Sequence, residues 1–281
     1  MHPTTILELK PEASPYLPMS AKLIHLEQFT EKEKFLRWEL SQSVECKAGQ
    51  FMQVGLMGVG EAPISITSAA GKRNVIEMCI RNVGDVTSAL HQLNVGQSVW
   101  MRGPFGNGYN MSNCEGQRLL FVAGGLGLAP CRSFILSALE NREKYQDVTI
   151  LYGGRTPNDL LFKADLEEWS ARKDCRLLVT VDRADNSWAG HVGVITTLFR
   201  KIKVDPTNTT VFVIGPPVMF KFAVLEVLAM GIPENRIYCS LERRMKCAIG
   251  ACGHCQIREV YVCQEGPIFT YQRVKLLREG I

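Results

Sequence analysis

Four cysteines near the C-terminus constrain this chain more than any other feature. They follow the pattern Cys-x4-Cys-x2-Cys-x7-Cys and stand at Cys247, Cys252, Cys255 and Cys263. Ordinary buried apolar cysteines would rarely gather in so short a stretch, whereas metal ligands commonly do. We therefore expect this segment to fold as a loop around a metal centre.

The spacing favours an iron-sulfur cluster over zinc. The first three cysteines follow the plant-type 2Fe-2S spacing, in which a loop brings thiolates and backbone N–H groups to the cluster. Gly250 and Gly253 suit such a loop, because glycine takes positive φ and lets the backbone approach the sulfides. Zinc ribbons usually contain two separated Cys-x2-Cys pairs, and this chain has one. We predict that the four cysteines hold a 2Fe-2S cluster, with zinc as the alternative.

Length and composition predict a globular protein of two domains beside the metal loop. The chain has 281 residues, of which 46% are hydrophobic. Neither an apolar run of about 18 residues nor a secretory signal is visible, so no membrane span is expected and a cytoplasmic location follows by default. The ten cysteines do not suggest a disulfide framework and suit a reducing compartment. A net charge of +4 without a long basic run gives no support to nucleic-acid binding.

The first half of the chain has the rhythm of an antiparallel β-barrel. Short apolar segments alternate with turn residues, and those around Trp38 and Met78 show the alternation of a strand with one buried face. One short helix is predicted near 85–93. The expected strands are 22–26, 35–40, 51–56, 64–67, 75–81 and 98–102.

From about residue 118 the pattern changes to that of a parallel α/β sheet, because apolar strand-like runs alternate with helical stretches. Pro130 and Pro217 stand where a first-turn proline is tolerated, and Gly231 followed by Pro233 ends the second of these helices. The five expected strands are 119–123, 148–152, 177–181, 211–214 and 237–240.

The predicted fold class is therefore β plus α/β, with an appended cysteine loop. The boundary between the two domains falls near 111–117, where the strand rhythm changes. The three predicted parts are a barrel domain at 15–112, a five-stranded parallel α/β domain at 113–240 and a cluster segment at 241–281.

Glycine-rich turns follow three of the expected α/β strands. They are Ala123-Gly-Gly-Leu-Gly-Leu-Ala-Pro130, Tyr152-Gly-Gly-Arg-Thr156 and Val213-Ile-Gly-Pro-Pro-Val-Met219. One such turn alone could merely be tight. All three lie at the carboxyl ends of strands, where open α/β sheets bind ligands and where glycine lets the backbone approach a pyrophosphate. A dinucleotide site is predicted there.

The barrel half contains a second candidate anion site. The segment Arg81-Asn-Val-Gly-Asp-Val-Thr87 places Gly84 and Thr87 at a predicted helix start, where backbone N–H groups favour an anion. The segments Glu61-Ala-Pro-Ile-Ser-Ile-Thr67 and Arg102-Gly-Pro-Phe-Gly-Asn-Gly-Tyr109 flank it. The last of these is interpreted mainly as a pair of turns.

Taken together, these motifs resemble the ferredoxin-NADP reductase superfamily over roughly residues 15–281. Within it the chain is most similar to flavin subunits with a four-cysteine 2Fe-2S loop, above all the gamma subunit of cytosolic nickel-iron hydrogenases (sulfhydrogenases). Related alternatives are the dihydroorotate dehydrogenase electron-transfer subunit and the small subunit of the electron-bifurcating ferredoxin-NADP oxidoreductase. The similarity to the hydrogenase gamma group rests on Ser14-Pro-Tyr-Leu-Pro18, Gly60-Glu-Ala-Pro-Ile-Ser65, Tyr152-Gly-Gly-Arg-Thr-Pro157 and Ser240-Leu-Glu-Arg-Arg-Met-Lys-Cys247.

The resemblance implies FAD on the barrel and NAD(P)H on the α/β domain, with Ser65 near the flavin N5. For FAD it implies Pro63, Ile64, Ser65, Ile66, Ile80, Arg81, Val83, Gly84, Val86 and Thr87. For the nicotinamide dinucleotide it implies Gly124, Gly125, Leu126, Gly127, Gly153, Arg155, Gly215, Pro216, Pro217 and Met219.

Three positions depart from the superfamily's usual pattern. Ala62 and Ile64 occupy the places of an arginine and a tyrosine in the common flavin motif, so weaker flavin binding is expected. Ile214 replaces a cysteine often found near the nicotinamide. None of these changes removes the redox chemistry, which belongs to the flavin.

The expected activity is that of an NAD(P)H-dependent flavin and iron-sulfur oxidoreductase subunit, a diaphorase. A nicotinamide delivers two electrons at once and a 2Fe-2S cluster accepts one, so a flavin is needed between them. Because the sequence offers no acceptor chemistry, we expect a hetero-oligomer with iron-sulfur and catalytic subunits of a hydrogenase-like or reductase complex. Arg155 and the pair Asp182-Arg183 leave the choice of dinucleotide open, with a slight preference for NAD(H). A nucleotide-binding protein with structural zinc is the non-enzyme alternative.

Overall fold

The computed structural model describes residues 14–277, and their first part is a six-stranded antiparallel sheet in the order β4-β3-β6-β1-β2-β5. Helix α1 (Asp85–His91) follows the fifth strand of this sheet and precedes the sixth along the chain. The expected barrel fold is confirmed, with strands that are mostly longer than the apolar runs. The strands are β1 (Met19–Gln28), β2 (Glu33–Cys46), β3 (Phe51–Leu56), β4 (Gly60–Ser65), β5 (Gly71–Arg81) and β6 (Ser98–Phe105).

Hydrogen bonds just beyond β4 close this sheet into a barrel. Thr67 N donates to Glu77 O at 2.8 Å, and Glu77 N donates to Ser68 Oγ at 3.2 Å. The strand predicted at 64–67 was misplaced, since β4 begins at Gly60. Pro63 looks like a turn residue, but β4 is an edge strand, where a proline without N–H is tolerated.

The second part is an α/β sheet whose five expected strands run parallel in the order β9-β8-β7-β11-β12. The structure adds a two-residue parallel strand, β10, beside β9. The strands are β7 (Arg118–Gly124), β8 (Val148–Gly154), β9 (Arg176–Val181), β10 (His191–Val192), β11 (Thr209–Ile214) and β12 (Ile237–Ser240). The helices are α2 (Leu128–Glu140), α3 (Lys163–Ala171) and α4 (Pro217–Ala229).

The C-terminal segment is integrated into the α/β sheet and not merely appended to it. Strand β15 pairs antiparallel with β12, in the register Tyr238↔Thr270 and Ser240↔Ile268. Strand β12 would otherwise present a row of unpaired backbone groups at the sheet edge. The elements of this segment are β13 (Gln256–Ile257), β14 (Val260–Tyr261), α5 (Val262–Glu265), β15 (Ile268–Thr270) and α6 (Tyr271–Leu276).

The two domains share part of one hydrophobic core. Phe35 of the barrel is buried in the same cluster as Phe121 and Phe162 of the α/β domain. The rings of Phe35 and Phe162 meet edge to face with their centroids 5.9 Å apart. Between residues 14 and 277, the structure contains no helix with the length and apolar character needed to cross a membrane.

Candidate functional site

Two of the predicted glycine turns meet at the point where the strand order of the α/β sheet reverses. Strand β7 has β8 on one side and β11 on the other, and ligands of open α/β sheets bind in the crevice at such a switch point. A Cβ on Gly127 would lie 2.4 Å from Ile214 O, and a Cβ on Gly124 would lie 2.3 Å from Met219 Sδ. The turns after β7 and β11 therefore pack against each other through their glycines.

Gly125 is the exception among these glycines, because a Cβ there would meet no atom within 4 Å. Its φ of +53° favours glycine, and the open space above it lets a ligand reach the backbone. No side chain caps the N-terminus of α2; the N–H of Leu128 donates instead to Gly125 O and Leu126 O, and Pro130 in the first turn has no N–H. The exposed backbone of this turn is therefore mainly that of Gly125.

The other predicted dinucleotide residues surround this turn. Gly153 lies at the end of β8 beside the first turn, and Arg155 follows it with an exposed side chain. Pro216 and Pro217 are exposed, whereas Leu126 and Met219 are half-buried. The structure thus brings together residues that follow the carboxyl ends of three parallel strands, along one edge of the sheet.

Of the predicted flavin residues, Pro63, Ile64 and Ser65 are half-buried on β4. The side chains of Ile66 and Ile80 are instead at most 1% exposed in the barrel core. These two residues can contact a cofactor only through their backbone. Sequence reasoning could not separate them from their neighbours, because both stand in motifs that mix core and surface positions.

The predicted pyrophosphate segment is already well hydrogen-bonded within the chain. Thr87 Oγ1 accepts from Val83 N at 2.9 Å and from Gly84 N at 3.0 Å, and so holds the turn before α1. Arg81 forms an ion pair with the buried carboxylate of Glu33, at 2.5 Å. Arg81, one of the predicted flavin residues, therefore already has a carboxylate partner within the barrel. Gly84 is exposed, and a Cβ there would meet no atom within 4 Å, so a ligand can approach its backbone.

The cysteine loop winds through several left-handed residues. Gly250 has a φ of +73° and Gly253 a φ of +77°, as expected of glycines that fold a loop tightly around a centre, and Ala248 also has a positive φ. Gly250 N points at a cysteine, since it lies 3.2 Å from Cys263 Sγ. Backbone N–H groups directed at thiolate sulfur are typical of an iron-sulfur loop.

The strongest interactions among the four thiols fall into two pairs. Cys252 interacts with Cys247 and Cys263 with Cys255, and a weaker electrostatic interaction links Cys263 to Cys247. Within residues 14–277 no three His, Cys, Asp or Glu side chains converge closely enough to hold one metal ion. A 2Fe-2S cluster has two irons, each of which takes two thiolates, whereas zinc draws four ligands around one centre. The donor arrangement fits the cluster better than zinc.

The thiols also differ in acidity. Hydrogen bonds from the His254 backbone and from Cys247 lower the pKa of the exposed Cys252 to about 7. Burial, together with the neighbouring Cys255, raises the pKa of Cys263 to about 12. Of the predicted ligands, the exposed thiol is thus the more acidic and the buried one the less acidic.

The segment interpreted as turns, 102–109, holds the cluster segment in place. Asn107 Nδ2 donates to Glu265 O at 2.9 Å and to Ile268 O at 2.7 Å, and its Oδ1 accepts from Ile268 N at 3.3 Å. Sequence reasoning missed this role. An asparagine between two glycines was the available signal, since it supplies a donor and an acceptor where the backbone can come close.

Comparison with protein families assigns a domain to each part of the chain. Residues 20–109 match the oxidoreductase FAD-binding domain, and residues 121–224 match the oxidoreductase NAD-binding domain. Residues 242–275 match the iron-sulfur cluster binding domain of dihydroorotate dehydrogenase B. The cofactors of the chain are thus FAD, a nicotinamide dinucleotide and an iron-sulfur cluster of the 2Fe-2S type.

Solved structures share the fold. A chain of the NADH-dependent reduced ferredoxin-NADP oxidoreductase, described in connection with flavin-based electron bifurcation, superposes with a TM-score of 0.74 at 25% identity and 92% coverage of both chains. A ferredoxin NADP+ reductase from Neisseria gonorrhoeae with bound FAD and NADP has a TM-score of 0.65 at 23% identity. The match covers 78% of this chain and 96% of that one.

Curated relatives match over nearly the full chain. The sulfhydrogenase 1 gamma subunit of Pyrococcus furiosus is 38% identical, with 94% of each chain covered. A probable dihydroorotate dehydrogenase B electron transfer subunit of Thermococcus kodakarensis is 30% identical, with 90% of this chain and 97% of that one covered. Because these relatives are at least 30% identical and match over nearly the full chain, the chain belongs to the family of flavin and iron-sulfur electron-transfer subunits that includes these two proteins.

Proposed function

We propose that this chain is the NAD(P)H-linked diaphorase subunit of a hetero-oligomeric complex with the iron-sulfur and catalytic subunits of a soluble hydrogenase or related reductase. The similarity to the sulfhydrogenase gamma subunit over 94% of both chains carries this proposal. A cytoplasmic location belongs to it, because a thiolate-held cluster and free cysteines suit a reducing compartment. The proposed domain limits are 15–112, 113–240 and 241–281.

In this proposal each domain positions one redox group. Bound FAD supplies the conversion between two-electron and one-electron transfer. Pro63, Ile64 and Ser65 line the flavin ring, with Ser65 near N5, and the backbone around Gly84 receives the pyrophosphate. The remaining flavin residues support these contacts: Ile66, Ile80, Arg81, Val83, Val86 and Thr87.

The crevice between β7 and β11 holds the nicotinamide dinucleotide. The backbone of Gly125 and the N-terminus of α2 receive its pyrophosphate. The surrounding residues shape the site: Gly124, Leu126, Gly127, Gly153, Arg155, Gly215, Pro216, Pro217 and Met219. The cluster ligands are Cys247, Cys252, Cys255 and Cys263.

The second candidate function is that of the electron-transfer subunit of a dihydroorotate dehydrogenase. The specific observation in its favour is the match of residues 242–275 to the iron-sulfur domain of dihydroorotate dehydrogenase B. The two candidates differ in the partner and in its substrate. Hydrogen-dependent reduction of NAD(P) by the native complex supports the first, and dihydroorotate-dependent reduction of NAD supports the second.

The preferred dinucleotide is NAD(H). At the end of β9, Asp182 supplies a carboxylate that suits the ribose hydroxyl of NAD, whereas Arg155 and Arg183 would suit a 2'-phosphate. Flavin bleaching by NADH and by NADPH compares them directly. A tenfold higher efficiency with NADPH would reverse this assignment.

Purification of the native protein from its source tests the proposed function. We expect the chain to elute with other subunits and to carry flavin and iron. Two observations together would contradict an obligate subunit role. The native protein would have to be a monomer, and with NAD(P)H it would have to reduce free ferredoxin as fast as any co-purified protein.

A further inference from the structure

Two barrel residues that lie side by side reach the polypeptide that carries the first cluster cysteine. Gln53 on β3 and Arg102 on β6 are directly opposite each other in the antiparallel ladder, so their side chains share one face of the sheet. Gln53 is also opposite Pro63 on β4. This row of side chains extends from the proposed flavin site to the cluster segment.

Arg102 is the centre of the contact. Its Nε and Nη2 donate to the two carboxylate oxygens of Glu61 at 2.9 and 2.7 Å. Its Nη1 donates to Pro15 O at 3.0 Å, and Nη1 and Nη2 lie 3.5 and 3.4 Å from Cys247 O. The residue is 9% exposed, and its guanidinium also lies over the Phe105 ring. A planar fork with five donors suits these contacts in a way that lysine cannot reproduce.

Gln53 continues the contact along the same polypeptide. Its Nε2 lies 3.3 Å from Met245 O and 3.4 Å from Lys246 O, and the residue is fully buried. Together Gln53 and Arg102 bind three consecutive carbonyl groups, those of residues 245–247. The barrel therefore determines where the cluster loop begins.

The contact also places a charge pair beside the cluster segment. The guanidinium of Arg102 is charged, as arginine always is in proteins, and both of its hydrogen bonds to Glu61 join it to a carboxylate. The cation contacts the Cys247 backbone directly, with Nη2 3.4 Å from Cys247 O, whereas the Glu61 carboxylate is bound to the guanidinium and is about one third exposed. The reduction potential of an iron-sulfur cluster depends on nearby charge, because the reduced state holds one more electron.

We propose that Arg102 is a positioning residue for the cluster: it fixes the Cys247 backbone to the barrel and, balanced by Glu61, sets the reduction potential of the centre. The proposal rests on the proposed role of Cys247 as a ligand. It predicts that loss of the cation lowers the cluster potential, whereas loss of the carboxylate raises it. If the contact were purely structural, the two variants would not shift the cluster potential in opposite directions.

The test is an anaerobic redox titration of the whole protein, with FAD and cluster as purified, followed by the electron paramagnetic resonance signal of the reduced cluster. We expect Arg102→Gln to lower the ratio of reduced to oxidised cluster at the wild-type midpoint about threefold or more. Glu61→Gln should raise this ratio by a smaller factor, because its carboxylate is farther away and partly screened. Arg102→Lys, which keeps the charge but not the planar fork, should lower this ratio by less than Arg102→Gln does.

Shifts of the same sign in Arg102→Gln and Glu61→Gln, or shifts no larger than that of the remote control Arg118→Gln, would overturn the proposal. If Arg102→Gln loses its cluster, Glu61→Gln decides alone: a raised potential supports the charge balance, and an unchanged or lowered potential overturns it. Cys247→Ala separates this proposal from the ligand assignment, because alanine has no atom that can bind iron. A cluster that survives Cys247→Ala refutes the ligand role and the proposal with it, whereas loss of the cluster leaves the potential shifts to decide the role of Arg102 alone.

Discussion

Arg132 of the α/β domain and Glu77 of the barrel form an ion pair across the domain interface, with Nη1 and Oε2 2.5 Å apart. The same guanidinium donates to Asp165 at 2.5 Å and to Thr67 O at 3.2 Å. It also lies 5.0 Å from the centre of the Phe162 ring. One buried cation thus joins the flavin domain to two elements of the nucleotide domain, and it helps to fix their relative orientation.

Removal of this cation should be costly. We expect Arg132→Met to reduce the free energy of unfolding by about 3–5 kcal/mol, because two largely buried carboxylates lose this cation and Glu77 keeps only Arg37. Denaturant unfolding measures the change. The matched control is Arg118→Met at an exposed pair with Asp147, where the expected loss is below about 1 kcal/mol. Equal losses in the two variants would contradict the role of Arg132.

The same interface should make stability depend on pH. Burial alone would raise the pKa of Glu77, but the charge and hydrogen bonds of Arg132 and Arg37 outweigh it and hold the pKa below its ordinary value. A carboxyl whose pKa is lowered by folding stabilises the protein above its unfolded pKa, and this contribution is lost as the pH falls through the folded value. We expect Glu77→Gln to be less stable at neutral pH and to lose less stability between about pH 6 and pH 3. Identical acid slopes in the variant and the wild type would refute this.

The glycine at the nucleotide turn offers a test with a close control. Gly125 and Gly116 both have positive φ, and a Cβ on either would meet no atom within 4 Å. Each substitution to alanine should cost roughly 1–2 kcal/mol of stability through backbone strain. Only Gly125→Ala should also weaken NADH binding, by about tenfold or 1.4 kcal/mol, because only its Cβ occupies the proposed pyrophosphate position. Calorimetric binding that is unchanged in Gly125→Ala would place the pyrophosphate elsewhere.

Loss of a cluster thiol should remove the iron-sulfur cluster and leave the FAD bound. We expect Cys252→Ser to lose the iron and labile sulfide while it retains FAD, since this thiol lies in the loop and the flavin residues lie in the barrel. The control is Cys175→Ser, at a half-buried thiol in the α/β domain, which should retain both. Iron, sulfide and flavin analysis of anaerobically prepared protein provides the measurement. Stoichiometric zinc without sulfide in the wild type would refute the cluster.

The sequence by itself was sufficient to predict those features that are encoded by residues close together in the chain. The period of apolar residues located every barrel strand except β4, whose start depends on the tolerance of an edge strand for Pro63. Glycines at strand ends marked the turns that meet at the switch point, and cysteine spacing marked the cluster loop. These features were predictable because a period, a turn or a ligand loop is encoded by residues close together in the chain.

Tertiary structure decided which side chains meet across long separations. Ile66 and Ile80 stand in flavin motifs, yet their side chains lie in the barrel core. The hydroxyl of Thr87 is already hydrogen-bonded within the turn before α1. Arg102 reaches the carbonyl of a residue 145 positions later, and β15 returns from the cluster segment to cover the edge of β12. No local pattern encodes such contacts, because their formation depends on the free energy of burial and hydrogen bonding of the whole assembled chain.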